Sequence, residues 1–338
     1  MSVASTVAHR PGPDLRPDDA CAFLFPGTGA GGTPDLTGLA ASGQPARTAA
    51  PEGAAGPATR IVADVLDAVT EGLPPGWPDL RTVLLDDPAA YPAAATRPGV
   101  AQAADYACAV AADRVLRAGG VAPAFAVGQS FGEIAAMVSA GVFTITDGAR
   151  MAVSLVQVLT RRGAGGGLGL IAAPEADTRA LLRRAADPSV VVACTTAPAL
   201  TVVAGPDGPL DTALAAARDA GRRAVRLAVP YLSHHPAMAG ADAEWYDLIR
   251  AIPARPAELP VLSPVRGRAY TPADDPHRAL ADCIVRPLRL PEILRAARRA
   301  GATVFVQAGP GDALCHAARL SVPGARTFAP MTRPRPTP

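Results

Sequence analysis

Cysteine is sparse in this chain. The five thiols, Cys21, Cys108, Cys194, Cys283 and Cys315, lie far apart and form no CxxC pair. An odd count at wide spacing argues against a disulfide framework or a zinc site and fits reduced cytosolic thiols. Net charge is also small. Arginine dominates the 32 basic residues, which nearly balance 30 acidic ones, for a formal charge of +2. Such a balance argues against a nucleic-acid surface. No apolar run approaches the length needed to span a bilayer. The first nineteen residues lack the apolar core of a signal peptide. These absences predict a cytoplasmic protein without a membrane anchor.

What is present points to a large folded unit. The chain has 338 residues, of which 49% are hydrophobic. That suffices for an extensive core in one unit carrying an inserted subdomain. Heavy use of Ala, Gly, Pro and Arg reads as high-GC coding bias. Residues 1–19 read as a disordered lead-in and residues 331–338 as a similar tail.

Hydrophobic patterning orders the elements. Ala22 to Phe25 predicts a strand that ends in the loop Pro26-Gly27-Thr28-Gly29. Helices are expected over Arg60 to Val69, Gly99 to Ala118, Glu133 to Val142 and Asp147 to Arg161. The five glycines between Gly163 and Gly169 predict a hinge. Beyond it the rhythm is strand (Leu168 to Ala173), helix (Glu175 to Ala186), strand (Val190 to Cys194), strand (Thr201 to Ala204), helix (Leu210 to Ala220) and strand (Arg223 to Leu227). This β-α-β-β-α-β order is the ferredoxin-like pattern.

One stretch carries chemistry. Val127-Gly128-Gln129-Ser130-Phe131-Gly132-Glu133 reads Gly-x-Ser-x-Gly, between the apolar strand Ala124 to Val127 and an Ala-rich helix. A serine between glycines at a strand-to-helix turn is a nucleophile elbow. It would place the Phe131 N–H at a helix N-terminus, where it can stabilise an oxyanion. Serine needs a base, and histidine is the usual one. The chain has five: His9, His234, His235, His277 and His316.

Three further segments accompany the elbow: Phe23-Leu24-Phe25-Pro26-Gly27-Thr28-Gly29, Tyr231-Leu232-Ser233-His234-His235-Pro236-Ala237-Met238 and Val306-Gln307-Ala308-Gly309-Pro310-Gly311. In this order they resemble the malonyl-transacylase-like acyltransferases of polyketide and fatty-acid synthesis, over nearly the whole chain. The resemblance implies an α/β fold: a hydrolase-like large subdomain with a parallel sheet (residues 20–162 and 228–330) and an inserted ferredoxin-like small subdomain (163–227). A ligand would sit in the cleft between them.

The resemblance also implies roles. Ser130 becomes the nucleophile. Matching Tyr-Leu-Ser-His to the family's Tyr-Ala-Ser-His places the base at His234, with His235 as runner-up, and Tyr231 and Ser233 beside it. The base's other nitrogen would face a backbone carbonyl, matched to Pro264 in Leu262-Ser263-Pro264-Val265. The oxyanion hole would combine the amides of Phe131 and Thr28, where the family usually has Gln at position 28. Members that use malonyl groups carry an Arg that clamps the free carboxylate. Aligning Asp147-Gly148-Ala149-Arg150 puts Leu155 at that position, with Arg161 or Arg162 as alternative clamps. Gln129 replaces a usual His and Thr196 a frequent Asn, so both join Leu155, Tyr231 and Ser233 as expected acyl-pocket residues.

The resulting expectation is a discrete acyltransferase of a bacterial polyketide-type pathway, with no metal and no bound cofactor. Its acyl group would lack a free carboxylate. It would pass from a CoA or carrier-protein phosphopantetheine thioester, through Ser130, to an acidic acyl carrier protein. An acyl hydrolase that clears stalled carriers, an ordinary malonyl-CoA:carrier transacylase and a catalytically silent carrier-binding module are the alternatives.

Overall fold

The computed structural model describes residues 15–332 apart from 17, 29–33, 35, 43–55 and 186. The expected lead-in through residue 14, His9 and the tail from residue 333 lie outside the described residues.

Eleven strands and twelve α-helices are seen among the described residues. Strand β1 (Cys21–Phe25) is followed by α1 (Leu36–Ser42), α2 (Pro57–Glu71), the short α3 (Tyr91–Ala94) and α4 (Val100–Ala118). Next come β2 (Pro123–Gly128), α5 (Gly132–Ser139) and α6 (Ile145–Arg162). Then follow β3 (Gly166–Ile171), α7 (Glu175–Ala185), β4 (Val191–Ala197), β5 (Leu200–Pro206), α8 (Asp207–Asp219) and β6 (Ala224–Arg226). The chain continues through α9 (Ala241–Ile249), β7 (Val261–Ser263), β8 (Arg268–Ala269), α10 (Pro276–Asp282), β9 (Leu288–Arg289) and α11 (Leu290–Arg299). It closes with β10 (Val304–Gln307), α12 (Ala313–Ser321) and β11 (Arg326–Phe328).

These elements form the expected mixed α/β fold. The six-stranded sheet runs β11-β10-β1-β2-β7-β8. All its pairings are parallel except the terminal β7–β8 hairpin. Its central strand β1 is fully buried, with every residue at 3% exposure or less. A strand covered on both faces needs a continuous apolar run, and Cys-Ala-Phe-Leu-Phe supplies one. The second sheet runs β6-β3-β5-β4-β9. Its first four strands are antiparallel neighbours, in the order that a β-α-β-β-α-β unit adopts when the outer connections cross over. The fifth, β9, comes from later in the chain and pairs parallel with β4.

Two expectations need correction. The glycine run is no hinge over its full length, because Gly166, Gly167 and Gly169 lie within β3. A Cβ on Gly169 would come within 2.7 Å of the Leu214 side chain, so the absent side chain lets α8 pack closely on the strand. The helix after the elbow stops at Ser139 rather than Val142. Gly141 turns into the left-handed region at φ 77°, which ends the helix.

Candidate active site

The elbow forms where β2 leaves the sheet. Ser130 has φ 55°, and His234 has φ 53°; among the described residues these are the only non-glycine positions in the left-handed region. Each such backbone costs on the order of 1–3 kcal/mol and persists only where its surroundings impose it. The flanking glycines make the turn possible. A Cβ on Gly128 would lie 2.3 Å from Glu133 Cα, and one on Gly132 would lie 2.2 Å from the Phe25 carbonyl. The turn is thereby pressed against β1. Phe131 stands at the N-cap of α5, and no backbone acceptor for its N–H is seen among the described residues.

The two strained residues meet. Ser130 Oγ lies 2.7 Å from His234 Nε2. His234 Nδ1 lies 3.1 Å from the Arg286 carbonyl, so an Nδ1–H donates there and leaves the Nε2 lone pair to accept the serine proton. Burial holds the imidazole down to about 4 against its ordinary 6.5, which keeps it neutral near pH 7. Cys283 Sγ sits 4.0 Å from Nδ1, and burial pushes this thiol far above its ordinary range.

The expected orienting carbonyl is therefore wrong by one link. Pro264 does not face His234. Its carbonyl accepts the Arg289 N–H at 3.0 Å, which instead helps hold the segment that presents Arg286. His235 is occupied elsewhere. Its Nδ1 accepts the Ala237 N–H at 3.0 Å and its Nε2 lies 3.0 Å from the Ser189 carbonyl. His277 contacts Ile252 and Asp275.

A cavity opens beside Ser130 and His234. Leu155, Tyr231, Ser233 and Thr28 line it, as do Leu159 and Trp245, which sequence reading missed. Leu159 was within reach of it, because it lies one turn after Leu155 on the same face of α6. Gln129 and Thr196 are not among its lining residues. Thr196 belongs to β4 in the smaller sheet, and Gln129 has its backbone N–H and C=O engaged by Phe25 and Gly132. The cavity measures about 30 Å³, room for a few waters.

No arginine lines this cavity among the described residues. Both alternative clamps point elsewhere: Arg161 and Arg162 pair with Glu244 and are more than half exposed. No cluster of side chains suited to a metal occurs among the described residues. No helix of the described residues is long and apolar enough to cross a membrane.

The chain is similar to known proteins in sequence and fold. The chain is 35% identical over 227 residues to the spectinabilin polyketide synthase system protein NorC of Streptomyces orinoci, covering 66% of this chain and 10% of that one. The curated polyketide synthases it matches are far longer, and it spans only 4% to 13% of their lengths. Among solved structures, the malonyl CoA-acyl carrier protein transacylase of Coxiella burnetii superposes with a TM-score of 0.80 at 25% identity, over 93% of this chain and 94% of that one. The acyltransferase domain from the second module of the salinomycin polyketide synthase gives 0.77 at 26% identity, over 94% and 70% of the two chains. The acyl transferase domain family matches residues 59–327, most of the length of this chain. With that match added to the sheet order and the elbow, the chain belongs to the acyl transferase domain family.

Proposed function

We propose that this acyltransferase moves an acyl group without a free carboxylate onto an acyl carrier protein in a polyketide-type pathway. The observation that carries the reading is the 2.7 Å Ser130–His234 pair at the edge of a largely apolar cavity that no arginine lines among the described residues. His234 Nε2 takes the Ser130 proton as Oγ attacks the thioester carbonyl. The developing oxyanion meets the Phe131 and Thr28 amides. The thiolate of CoA or of a donor carrier leaves and takes the proton from His234, and the acyl group stays on Ser130 as an ester. A carrier phosphopantetheine thiol then reverses these steps. In this reading residues 163–227 form the inserted subdomain, and the cleft it makes with residues 20–162 and 228–330 admits the phosphopantetheine arm. The resemblance to a CoA-acyl carrier protein transacylase supports both thioesters as substrates.

Intact-protein mass spectrometry after exposure to a panel of acyl-CoAs and acyl-carriers tests the reading. A stable mass increase on Ser130 that a carrier thiol discharges is the expected result. An acyl-enzyme that decays in buffer as fast as it forms would mark a hydrolase instead. No mass increase with any thioester would leave a silent binding module.

Substrate choice follows from Leu155. A malonyl carboxylate placed against it leaves water without a counter-charge, at a cost of several kcal/mol. A neutral or amino-bearing chain avoids that cost. A partial effect of about 3 kcal/mol corresponds to roughly a hundredfold preference against malonyl in kcat/KM. Leu155→Arg should shift preference toward malonyl, since the guanidinium brings the missing charge to the same face of α6. Comparing kcat/KM for malonyl-CoA and a neutral acyl-CoA in both proteins decides it. A wild type that prefers malonyl would defeat the substrate argument.

An acidic carrier suits the arginines beside the base. The side chains of Arg286 and Arg289 are 65% and 47% exposed, and the Arg286 carbonyl itself faces His234. Arg286 and Arg289 pair with Asp282, Glu175 and Glu292, but their exposure and their place beside the base make residues 286–289 the better docking face. Rising salt should raise the KM for the carrier through slower steering. A KM that is flat with salt would count against this surface.

A further inference from the structure

We infer that Glu133 is a positioning residue for acyl transfer: its buried carboxylate ties the helix after Ser130 to the hairpin that holds the carbonyl facing His234. Glu133 is fully buried. Its own N–H donates to the Ser130 carbonyl at 2.8 Å. Its Oε1 accepts from Ser263 Oγ at 2.7 Å and its Oε2 from the Tyr270 hydroxyl at 2.8 Å. The Val265 N–H faces it as well. Ser263 ends β7 and Tyr270 follows β8, so one carboxylate grips both sides of the β7–β8 hairpin.

The hairpin then reaches the base. From its turn the Pro264 carbonyl accepts the Arg289 N–H at 3.0 Å, and at the other end of that segment the Ile284 carbonyl accepts the His235 N–H at 3.2 Å. Between these two anchors lies the Arg286 carbonyl that orients His234. Glu133 thus holds the nucleophile's helix directly and the base's acceptor through Ser263, Pro264 and the segment from Arg289. Packing alone would be served better by an aliphatic side chain, since a buried carboxylate carries a desolvation cost of several kcal/mol.

The tie depends on ionisation. A carboxylate accepts from all its donors, whereas a carboxylic acid turns one oxygen into a donor, so Ser263 or Tyr270 must reverse its hydroxyl to keep that bond. The groups facing Glu133 are Ser263, Tyr270, the Val265 N–H, the Arg266 charge and, more weakly, Cys283. Burial pushes its carboxyl up to about 7, partly offset by these donors and by Arg266. Falling pH should therefore loosen the hairpin and slow acylation in this range.

The inference rests on the Ser130–His234 acyl-transfer reading, and one experiment separates them. Single-turnover acylation of Ser130 by a reactive acyl-CoA is followed by intact mass between about pH 5.5 and about 8.5. In wild type the rate should rise roughly tenfold through an inflection near 7. Glu133→Gln should be roughly tenfold slower at the alkaline end and nearly flat with pH, with KM within about twofold of wild type. Tyr270→Phe keeps the carboxylate but removes one donor, so its inflection should move to higher pH, and it serves if Glu133→Gln fails to fold. A Glu133→Gln profile that keeps the inflection, at full or uniformly reduced rate, overturns the inference, as does an unmoved inflection in Tyr270→Phe. A wild type that no thioester acylates overturns the reading beneath it.

Discussion

Ser130→Ala is expected to lose acyl-enzyme formation completely while the protein stays folded. No other described group is placed to replace the hydroxyl. Cys283 is the nearest nucleophile, but burial holds its thiol protonated, and thiolate is the reactive form. Ser130 already occupies the left-handed region at φ 55°, so alanine inherits the same backbone strain and adds none. Glycine would remove that strain. Ser130→Gly should be as inactive as Ser130→Ala and more stable than wild type by about 1 kcal/mol. Intact mass after incubation with an acyl thioester checks the first claim, and thermal unfolding checks the second. An acyl adduct persisting on Ser130→Ala would move the nucleophile elsewhere, with Cys283 the first position to map.

The elbow was legible because its chemistry needs particular residues in sequence. Gly128 and Gly132 sit where a Cβ would collide with backbone, so the pattern around Ser130 is dictated by sterics and shows in the letters. His234 was legible only through its register with the surrounding motif, since both neighbouring histidines are buried and hydrogen-bonded. The carbonyl that orients it was not legible. Every residue offers the same backbone carbonyl as Arg286, which lies 52 residues from His234 and leaves no mark in the sequence. Pro264 was one hydrogen bond away from the right answer. The fold shows the same division. Long periodic segments such as α4 and α6 declare themselves, and the alternation of strand and helix gave the smaller sheet. The two-residue strands β8 and β9 are too short for any period, and their place is set by partners distant in the chain. The glycines of β3 misled because composition alone cannot distinguish a flexible glycine from one that makes room for Leu214.

His234→Ala should slow acylation by about two to four orders of magnitude, the usual contribution of a positioned general base. His235→Ala should leave the rate within a fewfold of wild type. The two residues are adjacent and both buried, but only His234 reaches Ser130 Oγ. His235 caps the turn at Ala237 and contacts Ser189, so its loss should appear as about 1–2 kcal/mol of stability. The pH dependence separates them further. Burial holds folded His234 at about 4, while the unfolded chain takes up the proton near 6.5. The unfolded state therefore binds more protons between these values, and stability falls as pH drops from about 6.5 to about 4. His234→Ala removes that contribution, so its unfolding midpoint should be less sensitive to pH across this window than that of wild type. Catalysis by the neutral imidazole should likewise survive in wild type to about pH 5 before the base is lost, beneath the milder step assigned to Glu133. Single-turnover rates and thermal unfolding of the two variants across this range give both readouts. A normal rate in His234→Ala together with a collapsed rate in His235→Ala would place the base one residue later and break the geometry on which the acyl-transfer reading stands.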